Sequence, residues 1–322
     1  MIRSALLLCA LVLGPTGTAN AQSWPARPVK IIVPTGPGAA TDVMARFLAD
    51  GVAKTLGQPI VVENMAGASG ILAHQAVARA APDGYTLLFT NTSGLAINLI
   101  SFKQLAYDPT RDFDAVAMVC SLGPQMLSVH TDLPVDSLPG FIAYAKANRG
   151  RLSIAFDTTA GAAGFATKLL NKRADLGLIE VPYRAAAQMV QDAAGGTTQA
   201  MMSSIAAARS VVEAGKVRRI AVTSAKRFPT LPDLPSLAEA VPGVEMNGWF
   251  AVVAPAGTPA DVVRRLNREI DDYLKGPEVQ QRLLSFGLAT EGAGTPESTA
   301  AFVRQEQASW RALATELAIQ PQ

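Results

Sequence analysis

The chain has 322 residues, is 49% hydrophobic and 17% charged, and carries a formal net charge of +2. With no basic run, that balance excludes an electrostatic nucleic-acid binder and gives no pull toward an anionic membrane, so no nucleic-acid partner is expected. The apolar fraction suffices for substantial cores, and the length allows two domains of ordinary size or one large one.

Residues 1–21 read as a targeting segment rather than as fold. Arg3 is the charged start, residues 5–14 are an apolar core too short to span a bilayer, and Ala19-Asn20-Ala21 is an A-x-A cleavage site. Cleavage there would begin the mature, secreted chain at Gln22 and leave a charge of +1. Cys9 goes with the leader. Cys120 is then the one cysteine left, so no internal disulfide is expected; its apolar neighbours predict burial.

Val29–Val33 is rich in β-branched residues and predicts a buried strand, stopped by Pro34. Residues 35–41 form a loop with two glycines, a proline and two threonines. From Asp42 the apolar residues Val43, Phe47, Leu48, Val52 and Leu56 fall at helical spacing, with Thr41 as the expected N-cap. A strand, a tight turn and a helix N-terminus suit an anion, because unpaired backbone N–H groups and the helix dipole face it. Thr35, Gly36, Gly38, Ala39 and Thr41 are therefore candidate ligand contacts, against the simpler reading of a plain connection. The loop is no nucleotide fingerprint: Thr41 stands where GxGxxG needs its last glycine, and no Walker lysine follows. Asp42 is expected to fix the loop, and Arg46 to pair with it at i,i+4.

Strands are expected at 59–64 and 86–90, with a helix over 71–81 between them. The loops that follow the strands hold Ser69 and then Asn91-Thr92-Ser93-Gly94. Ligands of open parallel sheets bind beyond the carboxyl ends of strands, which makes Ser69, Asn91, Thr92 and Ser93 candidates, although each is also an ordinary turn former. Further strands are expected at 115–122, 126–130, 152–156, 179–183, 200–203, 219–223 and 248–254. Residues 157–164, DTTAGAAG, are another small polar loop, offering Thr158, Thr159 and Gly161. Arg184 follows the 179–183 strand; a guanidinium suits a planar carboxylate, and the alternative is a solvated helix-start arginine. Trp249 and Phe250 are either core or a wall for an aromatic ligand. Helices over 259–274, 277–286 and 296–317 each carry proline near the start. Alternating strands and helices make this an α/β protein.

Several stretches together resemble one family: WPARPVKIIVPTGPGAATDVMAR (24–46), VVENMAGASG (61–70), APDGYTLLFTN (81–91), VPYRAAA (181–187), AGKVRRIAVTSAKR (214–227), LPDLPSLAEA (231–240) and APAGTP (254–259). They are similar to Bug-type receptors, the periplasmic binding components of tripartite tricarboxylate transporters. The resemblance implies a two-domain periplasmic binding protein, or Venus flytrap, with mainly parallel core sheets flanked by helices. It further implies residues 22–122 with 245–322 as one domain, 123–244 as the other, and a hinge between them against which Tyr183 packs. The implied ligand is a small organic carboxylate held by backbone amides, hydroxyls and water; the implied partners are transporter membrane subunits, and a monomer is expected. Three departures stand out. Gly38-Ala39-Ala40 replaces consecutive glycines, Phe165 stands near where relatives often carry histidine, and Gln199 and Ser203 occupy positions often acidic in the family. If Gln199 and Ser203 reach the cleft, they favour a carboxylate without an ammonium group.

Two rival readings use other features. A ligand-sensing partner of a membrane signalling protein would need the same fold. A small-acid hydrolase would need a nucleophile with a placed base. The histidines are His74 and His130, no GxSxG, HExxH or CxxC is present, and Ser69 lacks the elbow spacing. No catalytic residue, metal or cofactor is expected.

Overall fold

The computed structural model describes residues 24–157 and 161–321. The expected leader over 1–21 and the candidate contacts Thr158 and Thr159 lie outside the described residues.

Strand β1 (Val29–Val33) is buried at four of its five positions, as its apolar run predicts. It is followed by α1 (Ala40–Leu56), β2 (Ile60–Asn64), α2 (Ile71–Ala78), β3 (Thr86–Asn91) and the short α3 (Asn98–Ser101). Strand β1 lies between β2 and β3 and runs parallel to both. Next comes β4 (Phe113–His130), 18 residues long. After it the chain builds α4 (Leu138–Ala147), β5 (Ser153–Asp157), α5 (Ala162–Ala174), β6 (Ile179–Tyr183), α6 (Ala186–Ala194), β7 (Ala200–Ser204), α7 (Ile205–Glu213) and β8 (Val217–Val222). It closes with β9 (Asn247–Pro255), α8 (Ala260–Leu274), α9 (Pro277–Ser285) and α10 (Pro296–Glu316).

Strand β4 corrects one expectation. Gly123-Pro124 does not separate two strands; β4 runs through it, still paired to β9 as Gly123↔Gly248 and Pro124↔Asn247. Proline is tolerated there because β4 is leaving one partner and about to gain others, so its missing N–H costs little. The register with β9 slips between Ala115/Ala117, Met118/Cys120 and Cys120/Gly123, irregularities that bend a strand without ending it.

Beyond Pro124 the same strand becomes the middle of a second sheet. Residues 125–129 pair with β7 and residues 126–130 with β8, both antiparallel. Strand β5 continues outward from β7 to β6, parallel to each. The parallel pairing read from the sequence thus holds within β1–β3 and within β5–β7. Every pair made by the two crossing strands, β4 and β9, is antiparallel.

These directions place the strand ends. Strand β9 opposes β3, and β4 opposes β9, so β4 travels the same way as β1 and β3 when it leaves the first sheet. In the second sheet β7 and β8 oppose β4, and β5 and β6 follow β7. The carboxyl ends of β1, β2 and β3 therefore point at the second sheet, and those of β5, β6 and β7 point back at the first. Side-chain alternation gives each sheet two covered faces. Val29, Ile31 and Val33 join a core under α1 and α8, whereas Ile32 faces a larger core that continues under both sheets to Phe156 and Trp310. Met126, Ala155 and Met201 face a third core under α6 and α7.

Candidate functional site

The loop after β1 is held from behind by Asp42, whose residue is 3% exposed. Its Oδ2 accepts from Gly38 N–H at 2.8 Å, and its Oδ1 accepts from Arg46 Nε at 3.0 Å and Asn64 Nδ2 at 2.8 Å. Asn64 also donates to the Thr35 carbonyl at 3.0 Å and accepts from Arg46 Nη2 at 2.9 Å. Burial pushes the Asp42 carboxyl up, but the Arg46, Gly38 and Asn64 donors outweigh it and hold the pKa below the ordinary value. The i,i+4 pairing with Arg46 is the one expected from the sequence.

Helix α1 starts two residues earlier than its hydroxyl suggested. Ala39, not Thr41, is the N-cap, with extended backbone and no side-chain cap bond. The third helical residue, Asp42, reaches back past the cap to Gly38 N–H and so anchors the turn that leads into the helix. Thr41 is buried, with Oγ1 3.4 Å from Asn91 Nδ2. The Gly38 amide is committed to Asp42, and the Ala39 amide donates to the Gly36 carbonyl at 3.3 Å. Gly38 has φ +81° and a Cβ there would meet nothing within 4 Å, so glycine is required by conformation and not by crowding. Among the described residues nothing accepts from the first-turn amides of Ala40 and Thr41. The Thr35 Oγ1 is buried and has no partner there either.

The remaining candidates divide by position. Strand β3 adjoins β9, so its loop lies nearest the crossing strands. Asn91 Oδ1 accepts from Gly94 N–H at 3.2 Å, and half-buried Ser93 opens a short wide-turn helix, Ser93–Ile97. Thr92 is buried, and its Oγ1 accepts from Trp249 N–H at 2.9 Å; it ties β3 to β9. Ser203 is buried near the end of β7, its hydroxyl donating to the Ser204 carbonyl at 3.3 Å. Gly161 is the N-cap of α5. Exposed Ser69, at φ 55°, follows edge strand β2, and exposed Arg184 follows edge strand β6. Both lie at the outer ends of the row. Among the described residues no ion pair engages Arg184.

Gln199 does not reach this row. It precedes β7, at the opposite end from Ser203, and its Oε1 accepts from the backbone N–H and Oγ of Ser153 at 3.0 and 2.9 Å. Tyr183 does not brace a hinge: its hydroxyl donates to Asp192 Oδ2 on α6 at 2.7 Å. Trp249 is core, 1% exposed, with its indole N–H donating to Glu306 at 2.9 Å.

One acid and a histidine matter more than sequence reasoning allowed. Asp157 ends β5 at the row, and burial raises its carboxyl pKa above the ordinary value. Fully buried His74 has Nδ1 2.8 Å from the Gly70 carbonyl and Nε2 2.8 Å from Thr90 Oγ1, and it stacks on Tyr107 with centroids 4.8 Å apart. The carbonyl can only accept, so Nδ1 carries the proton and Thr90 donates to Nε2. Burial depresses the imidazole pKa to about 4. With both ring nitrogens engaged, His74 pins the Gly70 loop to β3 and is not poised as a base for Ser69. A glycine at 94 is obligatory, since a Cβ would sit 1.9 Å from His74 Nε2. Among the described residues no group of three or more His, Cys, Asp or Glu is arranged to hold a metal, and no helix is long and apolar enough to cross a membrane.

A family model described as a tripartite tricarboxylate transporter family receptor matches residues 44–319. Protein BugT of Bordetella pertussis is 35% identical over 305 residues, covering 94% of this chain and 93% of BugT. The structure of R. palustris Rpa4515 with adipate superposes with a TM-score of 0.85 at 34% identity, covering 93% of this chain and 100% of that one. MatC from Rhodopseudomonas palustris with bound malate gives a TM-score of 0.77 at 32% identity, covering 90% and 99%.

Proposed function

We propose, because this chain belongs to the tripartite tricarboxylate transporter receptor family, that it captures a small organic carboxylate between its two lobes and passes it unchanged to transporter membrane subunits. The observation that carries the reading is Thr35. Its hydroxyl is buried without a partner among the described residues, beside the N-terminus of α1, which has no side-chain cap, on the rim where the strand ends of both lobes converge. A buried orphan hydroxyl costs free energy unless an occupant satisfies it. A carboxylate oxygen does so, and the first-turn amides of Ala40 and Thr41 add donors aligned with the helix dipole.

A neutral cradle of this kind binds an anion without burying a full counter-charge, whose desolvation is costly. Gly161 at the start of α5, with Ser203 on β7, supplies the grip from the opposite lobe, joined by Thr158 and Thr159, which precede it in the sequence. Asn91 and Ser93 line the β3 side. Arg184 and Ser69, on the edge strands, meet the far end of a longer ligand. Adipate and malate, the ligands of two relatives, are both dicarboxylates. We place the lobes at residues 22–122 with 245–322 and at 123–244, so that the boundary falls where β4 and β9 cross. A ligand that touches both lobes favours the closed arrangement by its differential binding energy. The mature protein acts in the periplasm, as a monomer, after loss of residues 1–21.

A thermal-shift screen tests this. Ligand-stripped protein is heated with a panel of mono- and dicarboxylates and their neutral amides. A ligand that binds only the folded state raises Tm, by about 2.7 kcal/mol of stabilisation at a hundred times Kd. At least one carboxylate should raise Tm while its amide does not. If no carboxylate in the panel raises Tm, or the amides match the acids, the reading fails.

A further inference from the structure

A cavity of about 530 Å³, lined by none of the candidate carboxylate contacts, lies between α5, α10 and the start of β9. Its size is that of a small-molecule site. Ser121 and Asn247 bring both crossing strands to its wall, next to the aromatic side chains of Trp249, Phe302 and Trp310. Two indoles converge on one carboxylate: Trp249 Nε1 donates to Glu306 Oε2 at 2.9 Å and Trp310 Nε1 donates to the same oxygen at 3.2 Å. Glu306 Oε1 has no such donor among the described residues.

The wall carries more carboxylates than cations. Asn247 Oδ1 is fully buried and without a partner among the described residues. Glu245 adds a second carboxylate, and no ion pair engages it or Glu306 among the described residues. The cation present, Arg173, is already spent: its Nε and Nη2 hold Glu316 in a two-pronged pair at 2.9 and 2.7 Å. Leu169, Met246 and Leu313 complete an apolar side. An occupant must therefore bring hydrogen-bond donors and positive charge at one end and an apolar body at the other. An anion would meet two uncompensated carboxylates and an orphan carbonyl.

We propose that this cavity is a second ligand site, for a small organic ammonium ion with an apolar tail. The ammonium pairs with Glu306 Oε1, the oxygen that the two indoles leave free. The tail lies against Leu313 and Met246.

The site reports on itself, because two of the chain's three tryptophans line it. The full chain is titrated with 2-phenylethylammonium chloride and, separately, with neutral 2-phenylethanol, following tryptophan emission. The ammonium should give a saturable change with affinity about tenfold or more above that of the alcohol. Glu306→Gln keeps an acceptor for the indoles but removes the charge and should lose that advantage. Ser309→Arg, at an exposed rim position, adds a repelling charge without touching the core and should weaken the ammonium alone. The proposal is overturned if emission does not saturate, if the alcohol binds as well as the ammonium, or if Ser309→Arg with unaltered Tm binds the ammonium like wild type. None of these readouts depends on a carboxylate in the cleft.

Discussion

Asp42→Ala separates loop positioning from charge at the proposed carboxylate site. The substitution removes the acceptor for Gly38 N–H, Arg46 Nε and Asn64 Nδ2. Summed as isolated charge-assisted bonds of about 1.5–3 kcal/mol each, the loss would be far too large. Two of the three donors keep a second partner: Asn64 still reaches the Thr35 carbonyl, and Arg46 still reaches Asn64 Oδ1. Gly38 is exposed, so its freed amide turns to water. The expected loss of stability is about 2–3 kcal/mol by urea denaturation at neutral pH. The sign with pH follows from the depressed folded pKa. The contribution is full above the unfolded value of about 3.9 and fades as pH falls through the lower folded value, so wild type and variant converge in acid. Ligand affinity distinguishes the two roles. If Asp42 holds the loop, calorimetry shows a carboxylate bound about tenfold or more weakly by the variant, because the cradle is no longer pre-organised. If the charge of Asp42 merely repels the ligand, its removal tightens binding. Tighter binding, or a stability loss below about 0.5 kcal/mol, refutes the reasoning.

His74 predicts a second acid dependence. Its folded pKa of about 4 lies below the ordinary 6.5, so from pH 6.5 downward the unfolded chain takes up a proton that the fold refuses. Stability should fall by about 3 kcal/mol between those values, and His74→Gln should flatten that slope in denaturation curves collected across the range. Gly38→Val should weaken carboxylate binding by about 1–3 kcal/mol through the φ of +81° and not through a clash, so Gly38→Asn, which tolerates that conformation better, should lose less. Arg184→Ala should lower affinity only modestly, by about 1 kcal/mol or less, since the side chain is exposed on an edge-strand loop; abolished binding would replace the neutral cradle with a point-charge site.

Much of the architecture was legible in local pattern. The β-branched run of β1, the helical spacing of α1, and the prolines that open α9 and α10 each point to the observed element. What local pattern missed depends on partners distant in the chain. Gly123-Pro124 looks like a break, and only β9, more than a hundred residues on, keeps β4 extended through it. Gln199 and Ser203 sit four residues apart yet at opposite ends of β7, a distinction set by strand direction and invisible to spacing alone. Asp42 was readable as a loop anchor because its partner Arg46 is one turn away; its bond to Asn64, from the next strand, was not. The hydroxyl of Thr92 fits a binding loop by composition, but the tertiary fold spends it on Trp249 N–H.

The most direct measurement is calorimetric titration of ligand-stripped wild type and Thr35→Val with the best carboxylate from the screen. The substitution is nearly isosteric and removes a buried hydroxyl that has no protein partner among the described residues. Such a group contributes nothing to the empty fold, so Tm should hold or rise slightly, whereas the bound carboxylate loses a donor worth about 1–3 kcal/mol. The account predicts affinity lower by roughly tenfold or more at unchanged stability. Equal affinity in the two proteins would show that the loop after β1 does not hold the carboxylate.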